Sequence, residues 1–236
     1  TCALPISITV NYRVTDENSA SSNGSFLITL TGTNDAPLVS ANDVTGAITE
    51  LPDGASGEGL STTLRSDSGS FSISDLDLSD SQSVSVTPPT GALGSLSAVL
   101  TNDTTGDGQG SVSWSYTITD AQLDGLAEGQ TVTEVFTVTV SDGHGGTVNQ
   151  LVTIALQGSN DKPSITSALA SLPSGNELSP YSFSKAQLLQ GFSDPDFGDS
   201  LDIEPGSLVA AGGSITYSSS TGTYTYTRDA NNQIPL

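Results

Sequence analysis

The sequence has no methionine, a single histidine and a single cysteine among its 236 residues. Basic side chains are nearly absent as well, with five Lys and Arg set against 26 Asp and Glu, for a formal net charge of −21. Binding to nucleic acid or to an anionic membrane surface needs Lys and Arg to displace counterions or meet headgroups, so both are excluded as partners. Cations are the natural counterpart of such a surface. One cysteine, Cys2, cannot build a disulfide framework or a Cys-x-x-Cys zinc site. No apolar run approaches the roughly 18 to 20 residues of a membrane-spanning helix. The lack of Met, and a last segment that stops at Ile234-Pro235-Leu236, are read as a fragment of a longer chain. Thr1 to Ile6 read as a translated sequencing adapter, an artefact that carries Cys2, and are set aside from the fold.

What is abundant is alternation. Val10, Tyr12 and Val14 alternate with polar residues, as do Phe26, Ile28 and Leu30. The same holds for Val112, Trp114, Tyr116 and Ile118, for Phe136, Val138 and Val140, and for Val152, Ile154 and Leu156. A period of two puts each set of large residues on one face of a strand. That regularity argues against disorder despite the high charge. Turn formers such as Ser22-Asn23-Gly24, Pro52-Asp53-Gly54 and Asp142-Gly143-His144-Gly145-Gly146 separate the strands. Two short helical turns are expected, one opened by Asp120 and one by Ser184. The fold expected is all-β, with apolar faces buried between two sheets as a β-sandwich.

The chain also repeats itself. Asp16 and Asp142 are 126 positions apart, as are Asp35 and Asp161 within the matching junctions Asn34-Asp35-Ala36-Pro37 and Asn160-Asp161-Lys162-Pro163. A second element, Asp-x-Asp-x-x-Asp, recurs at a spacing of 119 as Asp75, Asp77 and Asp80 and as Asp194, Asp196 and Asp199. An unbroken long period means tandem small domains. The boundaries place the end of one β-sandwich repeat at 1–37, a complete repeat at 38–162 and the start of a third at 163–236.

Chemistry is expected at the joints. Each junction is followed by a lone acid, Glu50 or Glu177, and then by the Asp triplet, and is preceded by an Asp at a strand end, Asp16 or Asp142. Asp residues at i and i+2 can converge on one centre, and two like charges about 4 Å apart cost roughly 4 kcal/mol at an effective dielectric near 20. Converging carboxylates therefore require a cation. Oxygen-only ligands exclude a typical zinc or copper site and favour calcium, which accepts six to eight oxygens in irregular geometry. The metal-ligand candidates are Asp16, Asn34, Asp35, Glu50, Asp75, Asp77, Asp80, Asp142, Asn160, Asp161, Glu177, Asp194, Asp196 and Asp199. The competing reading is that they are surface Asp in turns. Asp103 to Gly110 is similar to a calcium loop but lacks its terminal Glu, and is read as a hairpin turn.

Several of these segments resemble a known family. Gly110 to Asp120, Leu126 to Glu134, Phe136 to Thr147 and Gly158-Ser159-Asn160-Asp161 are similar to the VCBS repeat of large bacterial surface adhesins. Gly191 to Asp196 and Gly213 to Thr227 are similar to bacterial cadherin-like repeats. The resemblance implies tandem immunoglobulin-like, Greek-key sandwiches with Ca2+ between them, secreted by a type I route to the cell surface. Its implied role is a calcium-rigidified extender that projects a ligand-binding tip in cell adhesion and biofilm. The partners it implies are neighbouring repeats of the same chain and, through other domains, surface or matrix glycans and proteins. Lys162, where the first junction has Ala36, puts a cation near the expected site.

An enzyme is not expected. His144 sits in a Gly-rich turn without an evident orienting group, and no Gly-x-Ser-x-Gly motif surrounds a candidate nucleophile. A glycosidase pair needs one protonated acid in an apolar setting, whereas these acids lie among Ser, Gly and other Asp. Trp114 and Tyr116 could form a carbohydrate platform if exposed, but their alternation reads as a core strand. The second functional class kept open is a carbohydrate-binding or accessory module of a secreted glycan-active enzyme, and a third reading is homophilic adhesion.

Overall fold

The structure is a computed structural model that describes residues 5–175 and 179–229. It is all-β, as the alternation requires, and it divides into two compact units. The first comprises Thr1–Thr49, Gly59–Gln122 and Thr131–Gln157, and the second comprises Glu50–Glu58, Leu123–Gln130 and Gly158–Leu236.

The first unit opens with an antiparallel hairpin of β1 (Ile6–Thr15) and β2 (Ser21–Leu30). Ile6, which the sequence reading set aside, pairs with Leu30. A sandwich of two four-stranded sheets follows. Its strands are β3 (Leu38–Ser40), β4 (Thr45–Thr49), β5 (Leu64–Ser74), β6 (Ser83–Thr87), β7 (Ser95–Asn102), β8 (Gln109–Thr119), β9 (Thr131–Ser141) and β10 (Thr147–Gln157). One sheet has the order β3-β5-β8-β7 and the other β4-β10-β9-β6, with β4 parallel to β10. The non-consecutive order is the Greek-key pattern of an immunoglobulin-like or cadherin-like sandwich.

The alternation explains the core. Phe71 and Ile73 of β5, Val112, Trp114, Tyr116 and Ile118 of β8, Phe136, Val138 and Val140 of β9, and Val152, Ile154 and Leu156 of β10 are all buried. Trp114 is thus a core residue and no carbohydrate platform. Its indole N–H donates to the Asp43 carbonyl at 2.7 Å, and its ring covers Gly69, the residue opposite it on β5. A Cβ at Gly69 would fall 2.7 Å from Cζ2 of that ring, so only glycine leaves the indole its place.

Tyr116 and Phe136 meet edge-on across the sheets at 5.8 Å. The Tyr116 hydroxyl donates to Glu134 Oε2 at 2.7 Å, and the Leu93 N–H donates to the other carboxylate oxygen. Burial, together with the Glu134 carboxylate, pushes the phenol well above its ordinary pKa. Tyr116→Phe would leave a buried carboxylate oxygen short of a donor. We expect a loss of about 1–2 kcal/mol, read as a lower urea midpoint at unchanged slope.

In the second unit, β11 (Ser164–Ile165) pairs with β13 (Phe192–Ser193), and β12 (Tyr181–Ser184), β14 (Gly213–Ser218) and β15 (Thr223–Arg228) form a three-stranded sheet ordered β12-β15-β14. Between β12 and β13 lies the short helix α1 (Lys185–Leu188), where Ser184 and Gln187 form a capping box. The other anticipated turn is a 3-10 helix over Asp120–Gln122.

Candidate metal centre

The acidic residues gather into two groups, one within each unit. In the first unit, the β9–β10 turn carries Asp142, whose Oδ1 accepts the backbone N–H groups of His144 at 2.7 Å and Gly146 at 3.0 Å. Asp16 does the same in the β1–β2 turn, accepting from Asn18 at 3.0 Å and Ala20 at 2.8 Å, which explains why the repeat keeps an Asp at this place. The Asn34 amide donates to Asp142 Oδ2 at 2.8 Å, and the Asp35 N–H donates to Asp77 Oδ2 at 2.7 Å. Asp75 and Asp80 are buried, with Asp75 Oδ1 accepting the Asp77 N–H and Asp75 Oδ2 accepting the Gln82 amide.

His144 is better placed than its sequence context implies. Its Nδ1 lies 3.1 Å from Asp80 Oδ2, so the histidine has an orienting carboxylate after all. Burial raises the Asp142 pKa, but the hydrogen bonds from Asn34, His144 and Gly146, with the His144 charge, outweigh it and hold the carboxyl below its ordinary value. Donors therefore satisfy much of the negative charge in this group.

The second unit is different. Glu50, Asp124 and Asp161 each place a carboxylate oxygen within 4.8 Å of the others, and Asp194, Asp196 and Asp199 form a second such trio. Asp196 ties them together, since its Oδ2 accepts the Asp161 N–H at 2.9 Å. Local folding sets these positions. The Ser159 N–H donates to Glu50 Oε2 at 2.8 Å, Asp194 Oδ1 accepts the Asp196 N–H at 3.1 Å, and the Phe197 N–H donates to the Gly125 carbonyl at 3.2 Å. Asn160 turns its amide onto the Asp161 carbonyl at 2.9 Å.

Asp161 is 4% exposed, and neither of its carboxylate oxygens receives a hydrogen bond; Oδ1 of the 3% exposed Asp196 receives none either. Burial first, then the charges of Asp124 and Asp196, raise the Asp161 pKa to about 6. A buried carboxylate without a donor and ringed by other carboxylates is costly to ionise. A hard cation would reverse every one of these terms, and oxygen donors of this kind suit calcium. The residues present thus fit the group that the sequence reading anticipated.

Lys162 does not supply the missing charge. Its ammonium reaches away to Asp53 Oδ1 at 3.0 Å and is largely exposed. That hydrogen bond and the Asp53 charge raise its pKa.

The structure regroups the anticipated ligands. Glu50, placed by sequence order with Asp35, belongs with Asp161, while Asp142, placed with Asn160, belongs with Asn34. Asp16 stands exposed at its own turn, and Glu177 lies outside the described residues. Asp124, a member of the Glu50 and Asp161 cluster, was missed in the sequence reading. It sits four residues after Asp120 in a stretch legible only as a helical turn, and the sole available signal was an acid just beyond a strand end. Gly158 holds this arrangement close, because a Cβ there would fall 1.9 Å from the Leu126 carbonyl oxygen. Gly158→Ala should therefore displace the turn that bears Asp124 and weaken cation binding, checked by calorimetric titration against the unmodified chain.

With this geometry in view, comparison with known proteins adds one family match. A family described as "Cadherin-like domain" matches residues 159–235. No curated protein matches the chain. Among solved structures, the sialic acid binding region of a Streptococcus sanguinis SK1 adhesin aligns with 13% identity and a TM-score of 0.32, covering 68% of this chain and 41% of that one. Zebrafish RET cadherin-like domains 1 to 4 align with 14% identity and a TM-score of 0.30, covering 94% and 50%. The S-layer protein rSbsC(31-844) aligns with 12% identity and a TM-score of 0.28, covering 97% and 25%. The chain thus spans half or less of each of these structures. Superpositions this loose say nothing about ligands or partners.

Proposed function

We propose that this chain is a run of calcium-rigidified extender repeats from a secreted bacterial surface adhesin, which projects a ligand-binding tip for adhesion. The carrying observation is Asp161, buried among Glu50, Asp124 and Asp196 with no donor to either oxygen. Calcium supplies the positive charge that these oxygens lack. Glu50, Asp124, Asp161 and Asp196 would hold it, with Asp194 and Asp199 beside them, while Asn34, Asp35, Asp75, Asp77, Asp80 and Asp142 are the candidates in the first unit. Three separate stretches of chain bring the acids of the second unit together, so one ion would tie loops that are distant in sequence. The cadherin-like match over residues 159–235 supports this assignment and an extracellular setting.

The test is calorimetric titration of EDTA-stripped protein with calcium and, separately, with magnesium. Saturable calcium uptake that Asp161→Asn/Asp196→Asn reduces by at least one site is expected. Absence of calcium uptake would leave the clusters as buried acids without a metal role. In that case glycan-array binding in EDTA would move the assignment to a carbohydrate-binding accessory module.

A further inference from the structure

The complete sandwich buries a second pair of polar side chains, one that cation binding does not use. Gln82, just before β6, and Thr104, just after β7, are 7% and 0% exposed. The Thr104 N–H donates to Gln82 Oε1 at 3.0 Å, while Gln82 Nε2 donates to Asp75 Oδ2 at 3.3 Å and to the Asp80 carbonyl at 3.5 Å. The amide is thus held at both its atoms. The hydroxyl of Thr104 is not held at all, since Oγ1 is buried and has no hydrogen-bond partner. Its surroundings are nonetheless fixed: the Thr104 carbonyl accepts the Gly108 N–H at 2.9 Å, and Thr105 Oγ1 donates to the Asp80 carbonyl at 3.1 Å.

A buried hydroxyl without a partner costs stability and calls for a reason. Packing supplies none, because valine has the same shape and would leave no polar atom unpaired. Reactivity supplies one. Oγ1 stands three bonds from the backbone nitrogen that touches Oε1, which keeps it beside Cδ, the acyl carbon of the amide. The same N–H is placed to stabilise the negative charge that Oε1 gains when Cδ is attacked. Asp75 and the Asp80 carbonyl hold the nitrogen that must leave.

We propose that Thr104 and Gln82 join as an intramolecular ester. Oγ1 attacks Cδ, the hydroxyl proton passes to Nε2, and the Cδ–Nε2 bond breaks to release ammonia. The exchange is balanced without any oxidant or further reactant. Loss of ammonia to solvent drives it forward, and burial shields the ester from water. The bond closes the segment that contains β6 and β7, each an edge strand of its own sheet, and so ties one sheet to the other.

Intact-mass spectrometry of the denatured full chain tests this. The parent chain and Thr104→Ser are expected to be lighter than their sequences by one ammonia, and Thr104→Val to have its full mass. Hydroxylamine, which cleaves esters, should open the link and leave a hydroxamate at residue 82. Stability gives a readout of opposite sign for a merely structural threonine. Losing the link should lower the urea midpoint of Thr104→Val, whereas removing only an unpaired hydroxyl would leave that midpoint equal or raise it. Trp114 fluorescence reports whether each variant keeps its sandwich. A parent chain at full sequence mass would overturn the proposal. So would an ammonia loss that persists in Thr104→Val, as a succinimide at Asn23-Gly24 would give, or a Thr104→Val midpoint at or above that of the parent.

Discussion

Adding millimolar calcium to EDTA-stripped protein should raise its thermal unfolding midpoint, and Asp161→Asn should lose the part of that rise owed to the second unit. At about 100-fold excess over Kd, one site that binds only the folded chain adds roughly 2.7 kcal/mol. The variant makes the test sharper than a simple loss. In EDTA, Asp161→Asn removes an ionised carboxylate that has no donor and faces Asp124 and Asp196, so the metal-free variant should be more stable than the metal-free parent. In calcium the order should invert, because the variant lacks the ligand. Circular dichroism melts of both proteins in both buffers measure all four midpoints. Equal midpoints with and without calcium, or a variant destabilised equally in both buffers, would leave Asp161 as an ordinary structural residue. Asp75→Asn/Asp77→Asn probes the first unit in the same way, and there a smaller response is expected because Asn34, Gln82 and backbone N–H groups already satisfy much of the charge.

Without metal, Asp161 should also make stability fall as pH rises. Its folded pKa, about 6, stands above the ordinary 3.8, so the folded chain holds a proton that the unfolded chain releases. The contribution is fully present below the unfolded value and is lost as pH climbs through about 6. The difference between those two values corresponds to something on the order of 3 kcal/mol. Other carboxylates titrate in the same range with their own signs, so the quantity to measure is the difference between parent and Asp161→Asn in urea melts from pH 4 to 7 in EDTA. That difference should move in favour of the variant as pH rises, and a flat difference would contradict the assigned burial. Since calcium takes the ionised form, its affinity should strengthen across the same interval.

Both expectations depend on one cage, and its members were only partly legible beforehand. Asp161, Asp194, Asp196 and Asp199 stand out because the Asn-Asp junction and the Asp triplet recur at fixed spacings. Glu50 stands out too, but its allegiance does not. An antiparallel chain reverses at each turn, so closeness in sequence to Asp35 does not reveal that β4 leads Glu50 into the group of Asp161. Asp124 carries almost no signal, because the 3-10 turn before it reads as a local helix and nothing local discloses the chain segment it will meet. His144 shows the same limit, since its partner Asp80 lies 64 positions away.

By itself, the sequence determined the class, the repeat register and the sign of the charge. Alternation of apolar residues is a local property that already states which strand faces are buried, and Trp114, Tyr116 and Phe136 occupy the core that this pattern demands. Tertiary structure alone decided which acids share a cage. Burial and Coulomb energy depend on distances between residues far apart in the chain.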